Sequence, residues 1–290
     1  MSLLKLGIPK GSLQAATIDL FRKSGWRIQA ADRSYFPTID DPTLECTLCR
    51  AQEMSRHVEN GALDCGLTGL DWIRENDSDV HVAADLVYSK VSQRPTRWVL
   101  AVDKDSPIRS IEELAGKKVA TELVNFTRRY FAERGIDVRV EFSWGATEAK
   151  VVSGLADAIV EVTETGSTIK AHGLVVIEEL MQSHTQLIAN HTSWADGWKR
   201  AKIEQLALLL KGALQGEEMV GLKMNVPQAI MDEILALLPC LDGPTVAEIH
   251  GSPMKSVEIV VNRATVRDLA PDLRRRGVRG IIEYPIYKVI

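Results

Sequence analysis

The densest run of chemistry-bearing residues is GLADAIVEVTETGSTIKAHG, residues 154–173. An apolar stretch carrying Asp157 and Glu161 runs into Glu164, Thr165, Gly166, Ser167 and Thr168, then into one or two turns of helical character. Small hydroxyl residues around a glycine at a helix start let successive backbone N–H groups and hydroxyls converge on one anion, and the helix dipole adds attraction. That is the composition of a phosphate cradle. It is neither the G-x-x-x-x-G-K-[ST] loop of nucleoside triphosphatases nor the G-x-G-x-x-G turn of dinucleotide folds. Carboxylates just ahead of the loop suit a sugar phosphate, because they accept hydrogen bonds from ribose hydroxyls or hold Mg2+ near a pyrophosphate. The same residues also describe an ordinary capped helix after a strand, so their neighbours must decide.

Three more groups stand where such a ligand needs them. Lys10 in Pro9-Lys10-Gly11, Arg50, and Asp71 after Thr68, Gly69 and Leu70 each follow a stretch of strand character, and open α/β sheets bind ligands at the carboxyl ends of their strands. Lys10 and Arg50 can neutralise phosphates. Asp71 can accept a hydrogen bond from an adenine or a ribose. Singly, Lys10 and Arg50 also read as surface charge and Asp71 as a helix N-cap. Cys46 and Cys49 form a C-x-x-C pair, but the alternation through Thr47 and Leu48 is that of a strand, which sends the two sulfurs to opposite faces. With no second pair or suitably spaced histidine, buried thiols are expected rather than zinc.

The elements that must position these residues alternate. Residues 4–8 read as a strand and 13–24 as a helix closed by Gly25; residues 44–49 as a strand and 51–60 as a helix stopped by Gly61; residues 64–68 as a strand leading into a helix from Asp71. A second block repeats the pattern. It has strands at 98–102, 118–120, 138–142 and 156–162, a helix at 125–134, and a short helix at 110–114 with Glu113 three residues after Ser110. Strand–helix repetition favours open, mainly parallel sheets, here two α/β lobes facing across a cleft. Residues 175–180 and 186–190 are expected to return the chain to the first lobe, and 194–214 to form a long bridging helix. Beyond Gly216 the order becomes βαββαβ, the ferredoxin-like split unit, with Pro271 expected to kink its second helix or mark a late start.

Composition sets the outer bounds. The chain has 290 residues, 45% apolar and 26% charged, with a formal net charge of -4. A single core stops growing near ~250 residues, so two or three domains are expected. No run reaches the roughly 20 uncharged apolar residues of a bilayer helix, and the stretch before Pro9 is too short for the apolar core of a secretion signal, so a cytoplasmic protein without membrane attachment is expected. The slightly acidic balance argues against nucleic acid as a partner. Two lobes around a cleft also suit a solute-binding protein without catalysis; the missing secretion signal and the phosphate cradle count against it.

Taken together, PKGSL at 9–13, RAQEMSRHVENGALDCGLTGLDW at 50–72, GATEAK at 145–150 and GLADAIVEVTETGSTIKAHGL at 154–174 resemble the ATP phosphoribosyltransferase family of histidine biosynthesis. The tail, with MNVP at 224–227, LLPCLDGPTV at 237–246 and VEIVVN at 257–262, is similar to the extension of that family's long form. The resemblance covers essentially the whole chain. It implies a two-lobed, periplasmic-binding-protein-like catalytic core, with lobe I at 1–95 plus a return segment 181–214 and lobe II at 96–180, and a ferredoxin-like regulatory domain at 215–290.

The resemblance further implies transfer of phosphoribosyl from phosphoribosyl pyrophosphate to N1 of ATP, with Mg2+ as cofactor. Lys10, Arg50 and Glu161 form the implied catalytic set. Glu164, Thr165, Gly166, Ser167 and Thr168 would hold the 5-phosphate, with Asp157 near the ribose hydroxyls or the metal. Arg97 would address phosphates, and Asp71 and Glu148 would place the nucleotide. Asn225, Leu241, Thr245, Val260 and Gly280 correspond to a site for inhibitory free histidine, and dimers and hexamers are implied. The chain departs from the family pattern at Ser12, where arginine is frequent, at Glu161, where aspartate is usual, and between Asp85 and Arg97, where the familiar turn is altered.

Overall fold

The computed structural model describes residues 2–31, 34–88 and 95–290. The chain divides into two compact units, the first ending at Arg22 and resuming over Trp26–Ala207, the second made of Lys23–Gly25 and Leu208–Ile290.

In the first unit β1 (Leu4–Lys10), α1 (Gln14–Ser24), a small pair β2 (Ile28–Gln29) and β3 (Thr38–Ile39), β4 (Leu44–Arg50), α2 (Ala51–Glu59), β5 (Cys65–Gly69), α3 (Leu70–Asn76) and β6 (His81–Leu86) build lobe I. The chain crosses through β7 (Thr96–Asp103) into β8 (Lys118–Thr121), α4 (Val124–Ala132), β9 (Arg139–Phe142), α5 (Thr147–Val152), β10 (Ala158–Thr163), α6 (Ser167–Ala171) and β11 (Leu174–Ser183). It returns through β12 (Thr185–Ala189) to α7 (His191–Ala195) and α8 (Gly197–Glu218).

The two sheets share one plan. The first has the order β4-β1-β5-β12-β6, and the second, read as β9-β8-β10-β7-β11, repeats it. Each contains a single antiparallel strand, β12 or β7, and that strand is the one entering from the other lobe. Because Arg97 pairs with Thr163 and Thr185 with Gly69, the start of each crossing strand lies beside the carboxyl end of a parallel one. The ligand-binding ends of both sheets therefore meet at the crossover.

Side-chain alternation fills these sheets from both faces. Trp98, Leu100 and Val160 pack with Phe131 on one side of the second sheet, while Val99, Ala101 and Ile159 pack with Ile169 on the other. In β4 the expected alternation places Cys46 in the core and turns Cys49 to the opposite face, where its thiol lies 3.3 Å from Met54 Sδ. Burial pushes both thiols up to about 12. The returning helices are tied to lobe I by Asp64, which accepts from Lys5 N, Ser193 Oγ and Lys199 Nζ at 2.7–2.8 Å. Those donors hold its carboxyl below the usual range against the opposing effect of burial.

Several elements differ from the sequence expectation. Residues 175–180 do not return to lobe I; they lie in β11 on the edge of the second sheet, paired with β7 through two register shifts. Only β12 returns, after one connecting residue, His184. The stretch expected as one helix over 194–214 is divided at Asp196, whose carboxylate accepts from Lys199 N at 2.8 Å and starts α8. Strand β6 has no counterpart in the sequence expectation. Among the described residues no helix is long and apolar enough to cross a membrane.

The second unit contains β13 (Met219–Pro227), α9 (Met231–Leu237), β14 (Thr245–Glu248), β15 (Met254–Asn262), α10 (Arg263–Arg275) and β16 (Arg279–Pro285). Its sheet has the order β14-β15-β13-β16, antiparallel throughout. This is the ferredoxin-like arrangement expected. Val220, Leu222, Met224, Val257, Ile259 and Val261 bury one face against α9 and α10. Helix α10 runs unbroken past Pro271; it starts at Arg263, where Asn262 Oδ1 accepts from Ala264 N at 2.9 Å, so the proline is interior rather than a late start.

A candidate active site between the two lobes

The lobe I wall is basic. Lys10 and Arg50 end the paired parallel strands β1 and β4 at the same level. Gly11 follows with φ +111, and a Cβ there would stand 3.2 Å from Arg50 Nη1, so glycine serves both the turn and the passing guanidinium. Lys10 Nζ lies 3.7 Å from the centroid of the Tyr35 ring, a cation–π contact. One turn into α2, Arg56 donates to the neutral Asn76 Oδ1 at 2.8 Å through Nε. Neither Arg50 nor Arg56 has a carboxylate partner among the described residues. A cleft of about 360 Å³ opens here, lined by Arg50, Arg56, Trp72 and Glu75 from lobe I and by Glu122, Phe142 and Trp144 from lobe II.

Helix α3 presents two buried carboxylates one turn apart. Asp71 Oδ2 accepts from Trp98 Nε1 at 2.9 Å, Oδ1 accepts from Trp72 N at 3.0 Å, and Asp71 N donates to Ser183 Oγ at 3.1 Å. Burial pushes this carboxyl up while the Trp98 indole opposes the shift. The N-cap of α3 is Gly69, so Asp71 is not the cap, and each of its oxygens already accepts from one protein donor. Glu75 accepts from Asn125 N at 3.0 Å and Phe126 N at 2.9 Å, capping α4 from the other lobe. Nothing in the sequence marks this residue, because its partners lie about fifty positions away.

The lobe II wall carries the cradle. Strand alternation and register place Glu161, Thr163 and Arg97 on one face of the second sheet. Thr163 Oγ1 accepts from Gly166 N at 2.8 Å, and Gly166 takes φ +76 as the N-cap of α6. Thr165, Ser167 and Thr168 are exposed around that buried glycine, with the Thr165 and Ser167 hydroxyls 2.9 Å apart. Glu164 is half-buried. Burial and the charge of Glu148, in the first turn of α5, push Glu161 up, while the Thr147 hydroxyl and Val162 N oppose this. Glu122, one residue past β8, is pushed up to about 7 by burial and then by the charges of Glu161 and Asp71. Its signal in the sequence was only its place after a parallel strand.

Two expected residues are placed differently. Asp157 precedes β10, and its Oδ2 accepts from Lys118 N at 2.8 Å. The strand carries it roughly 20 Å from the cradle, at ~3.3 Å per residue, so it stands at the wrong end of the sheet for the ribose or its metal. Arg97 lies beside Thr163 but is paired with Glu179, Nη1 to Oε2 at 3.3 Å. Residues 89–94 of the altered turn ahead of it are outside the described residues. Among the described residues no group of three or more His, Cys, Asp or Glu side chains is arranged to hold a metal.

In the second unit the five expected effector positions fall into two groups. A Cβ on Gly280 would stand 3.1 Å from Asn225 Nδ2. Leu241 N donates to Val260 O at 3.2 Å, and Thr245 pairs with Glu258, two residues from Val260 on the same face. Asn225 and Val260 point away from the helices, since their strand neighbours fill the buried face, and Thr245 lies on the same face through its pairing with Glu258.

A repeated pair of α/β sheets whose strand ends converge on a basic wall and a hydroxyl-rich loop defines a two-lobed α/β protein with a cleft at the crossover. A family profile described as ATP phosphoribosyltransferase matches residues 50–212, and one described as HisG, C-terminal domain, matches residues 216–288. An ATP phosphoribosyltransferase of Desulfosudis oleivorans is 66% identical over 287 residues, 99% of either chain, and one of Geotalea uraniireducens is 56% identical over 289 residues. Among solved structures, an ATP phosphoribosyl transferase (HisG:HisZ) complex from Thermotoga maritima aligns with a TM-score of 0.61 at 27% identity, over 72% of this chain and 98% of that one. The chain belongs to the ATP phosphoribosyltransferase family.

Proposed function

We propose that the chain transfers the phosphoribosyl group of 5-phosphoribosyl 1-pyrophosphate to N1 of ATP, releasing pyrophosphate, as the first step of L-histidine biosynthesis. The observation that carries this reading is the loop from Thr163 to Thr168, closed by its own threonine and glycine, at the carboxyl end of β10, the end of the second sheet that meets lobe I at the crossover. Thr165, Ser167 and Thr168 hold the 5-phosphate, Glu161 accepts from the ribose hydroxyls, and Lys10 and Arg50 face the pyrophosphate or the ATP phosphates. Arg97 joins them by exchanging Glu179 for a phosphate, and Glu148 stays near the ribose through its neighbour Glu161.

The new bond forms between adenine N1 and the anomeric carbon as the bond to pyrophosphate breaks, and its electron pair leaves with pyrophosphate. The centre is electron-poor in between, as in glycoside chemistry. Adenine N1 carries no proton and attacks with its own lone pair, and the positive charge the base gains is relieved by loss of an N6 proton. Rate comes from holding the two substrates in line and absorbing the leaving charge. Mg2+ fits the lobe II wall, since Glu122 and Glu161 press like charges on each other and this metal needs only one or two carboxylates beside phosphates. Those two residues would hold it, and when bound it neutralises pyrophosphate charge.

The second unit is proposed as the site of inhibition by free histidine, in a homo-oligomer of dimers and hexamers. The Thermotoga chain is covered almost completely by 72% of this one, so this chain carries an additional segment suited to that role. Incubating the purified protein with ATP, phosphoribosyl pyrophosphate and Mg2+ and following product absorbance tests the activity. Ligand binding without turnover would overturn it. Thr168→Ala is expected to weaken phosphoribosyl pyrophosphate binding by about 1–3 kcal/mol, read as a raised KM for that substrate.

A further inference from the structure

We propose, resting on the transfer reaction above, that the adenine of ATP stacks on Trp144 and Phe142 at the cleft mouth, making these two rings the platform that binds the base. Phe142 ends β9 and is 64% exposed; Trp144 is 72% exposed. Tryptophan is ordinarily among the most covered residues on average, and here the fold holds its ring out. Ser143 between them explains how. It is buried, its N–H donates to Thr121 O at 2.9 Å, and its hydroxyl donates to Thr147 Oγ1 at 3.1 Å. In extended chain, residues on either side of an inward one face the same way, so anchoring Ser143 turns both aromatic rings outward together, and both line the same cavity. Lys150 Nζ donates to Phe142 O at 3.3 Å and fixes the segment from the α5 side.

The remaining lining identifies the ligand. Trp72 adds a third aromatic wall, held edge-on against Trp98 at 6.5 Å. Arg50 and Arg56 bring positive charge without carboxylate partners among the described residues. Glu53, Glu75 and Glu122 share the lining, and flat apolar rings beside guanidinium groups that have no ion pair among the described residues match a molecule with a π-face at one end and phosphates at the other. Phosphoribosyl pyrophosphate has no aromatic ring, so of the two substrates only ATP can use these side chains.

The experiment compares Trp144→Ala, Phe142→Ala and Trp144→Phe with the full-length protein. Stacking of one base contributes on the order of 1–3 kcal/mol, so Trp144→Ala is expected to raise the KM for ATP about five- to hundredfold and leave the KM for phosphoribosyl pyrophosphate unchanged. Trp144→Phe should recover most of the loss. ATP should quench the tryptophan fluorescence of the wild-type protein, tripolyphosphate should not, and the quench should shrink in Trp144→Phe. An ATP KM within about twofold of wild type in Trp144→Ala, or an equal rise for both substrates, overturns the proposal. The fluorescence titration separates it from the activity: a wild-type protein that binds ATP through Trp144 without turnover keeps the stacking and refutes the transfer reaction, and normal turnover in Trp144→Ala does the reverse.

Discussion

At the scale of single residues, the cleft is governed by carboxylates that the fold brings together from distant parts of the chain. Burial and the neighbouring charges of Glu161 and Asp71 hold Glu122 up at about 7, against 4.5 for an ordinary glutamate, so between those values the folded protein keeps a proton that the unfolded chain has released. Stability from this group is full below the unfolded value and falls as pH rises through the folded one. Wild-type protein without substrates is therefore expected to lose thermal stability relative to Glu122→Gln as pH is raised from about 5 to 8. Parallel melting curves for the two proteins across that range would show Glu122 to be ordinary. The glycine-capped turn into α6 was legible because its residues, Glu164 to Thr168, are consecutive. Asp157 was misread because it is near the cradle in sequence but one strand length away in space. The hydrogen bonds that hold Asp71 were not legible, since Trp98 and Ser183 lie in other elements.

Among elements, α3 sets how the lobes meet. Its carboxylates Asp71 and Glu75 are four residues apart and so share one helix face, and each binds lobe II, one at Trp98 and one at the first amides of α4. An anion at a helix N-terminus is favoured by both the unpaired N–H groups and the dipole. Glu75→Ala leaves the Asn125 and Phe126 amides without this acceptor and is expected to lower stability by about 1–3 kcal/mol. Glu75→Gln keeps an acceptor without the charge and should lose less. Urea unfolding of the three proteins measures this, and equal midpoints would mean that α4 is capped by solvent. The order of elements was legible from periodicity, including the βαββαβ tail. The destination of β11 was not: an edge strand and a returning strand have the same alternation, and only its pairing with β7 distinguishes them.

Across the whole molecule, the proposed regulation requires that an effector in the second unit bind two states of the catalytic unit differently. Val260 pairs with Gly221 while Asn225 pairs with Ser256, so these two expected effector positions lie four strand positions apart, roughly 13 Å, with Thr245, opposite Glu258, between them along the strand. Asn225 with Gly280 forms one group, and Leu241 with Thr245 and Val260 the other. The first group is the more exacting. Gly280 has φ +59, and a Cβ there would press on Asn225 Nδ2 at 3.1 Å, so Gly280→Ala must displace the amide and strain its own backbone. Severalfold more histidine should then be needed for half-inhibition, with kcat and both KM values unchanged in its absence. An unaltered inhibition curve moves the effector to the Leu241 group or out of this unit. Linkage supplies an independent check, since the factor by which histidine weakens binding of ATP must equal the factor by which ATP weakens binding of histidine, and calorimetric titration in both orders reads the two directly.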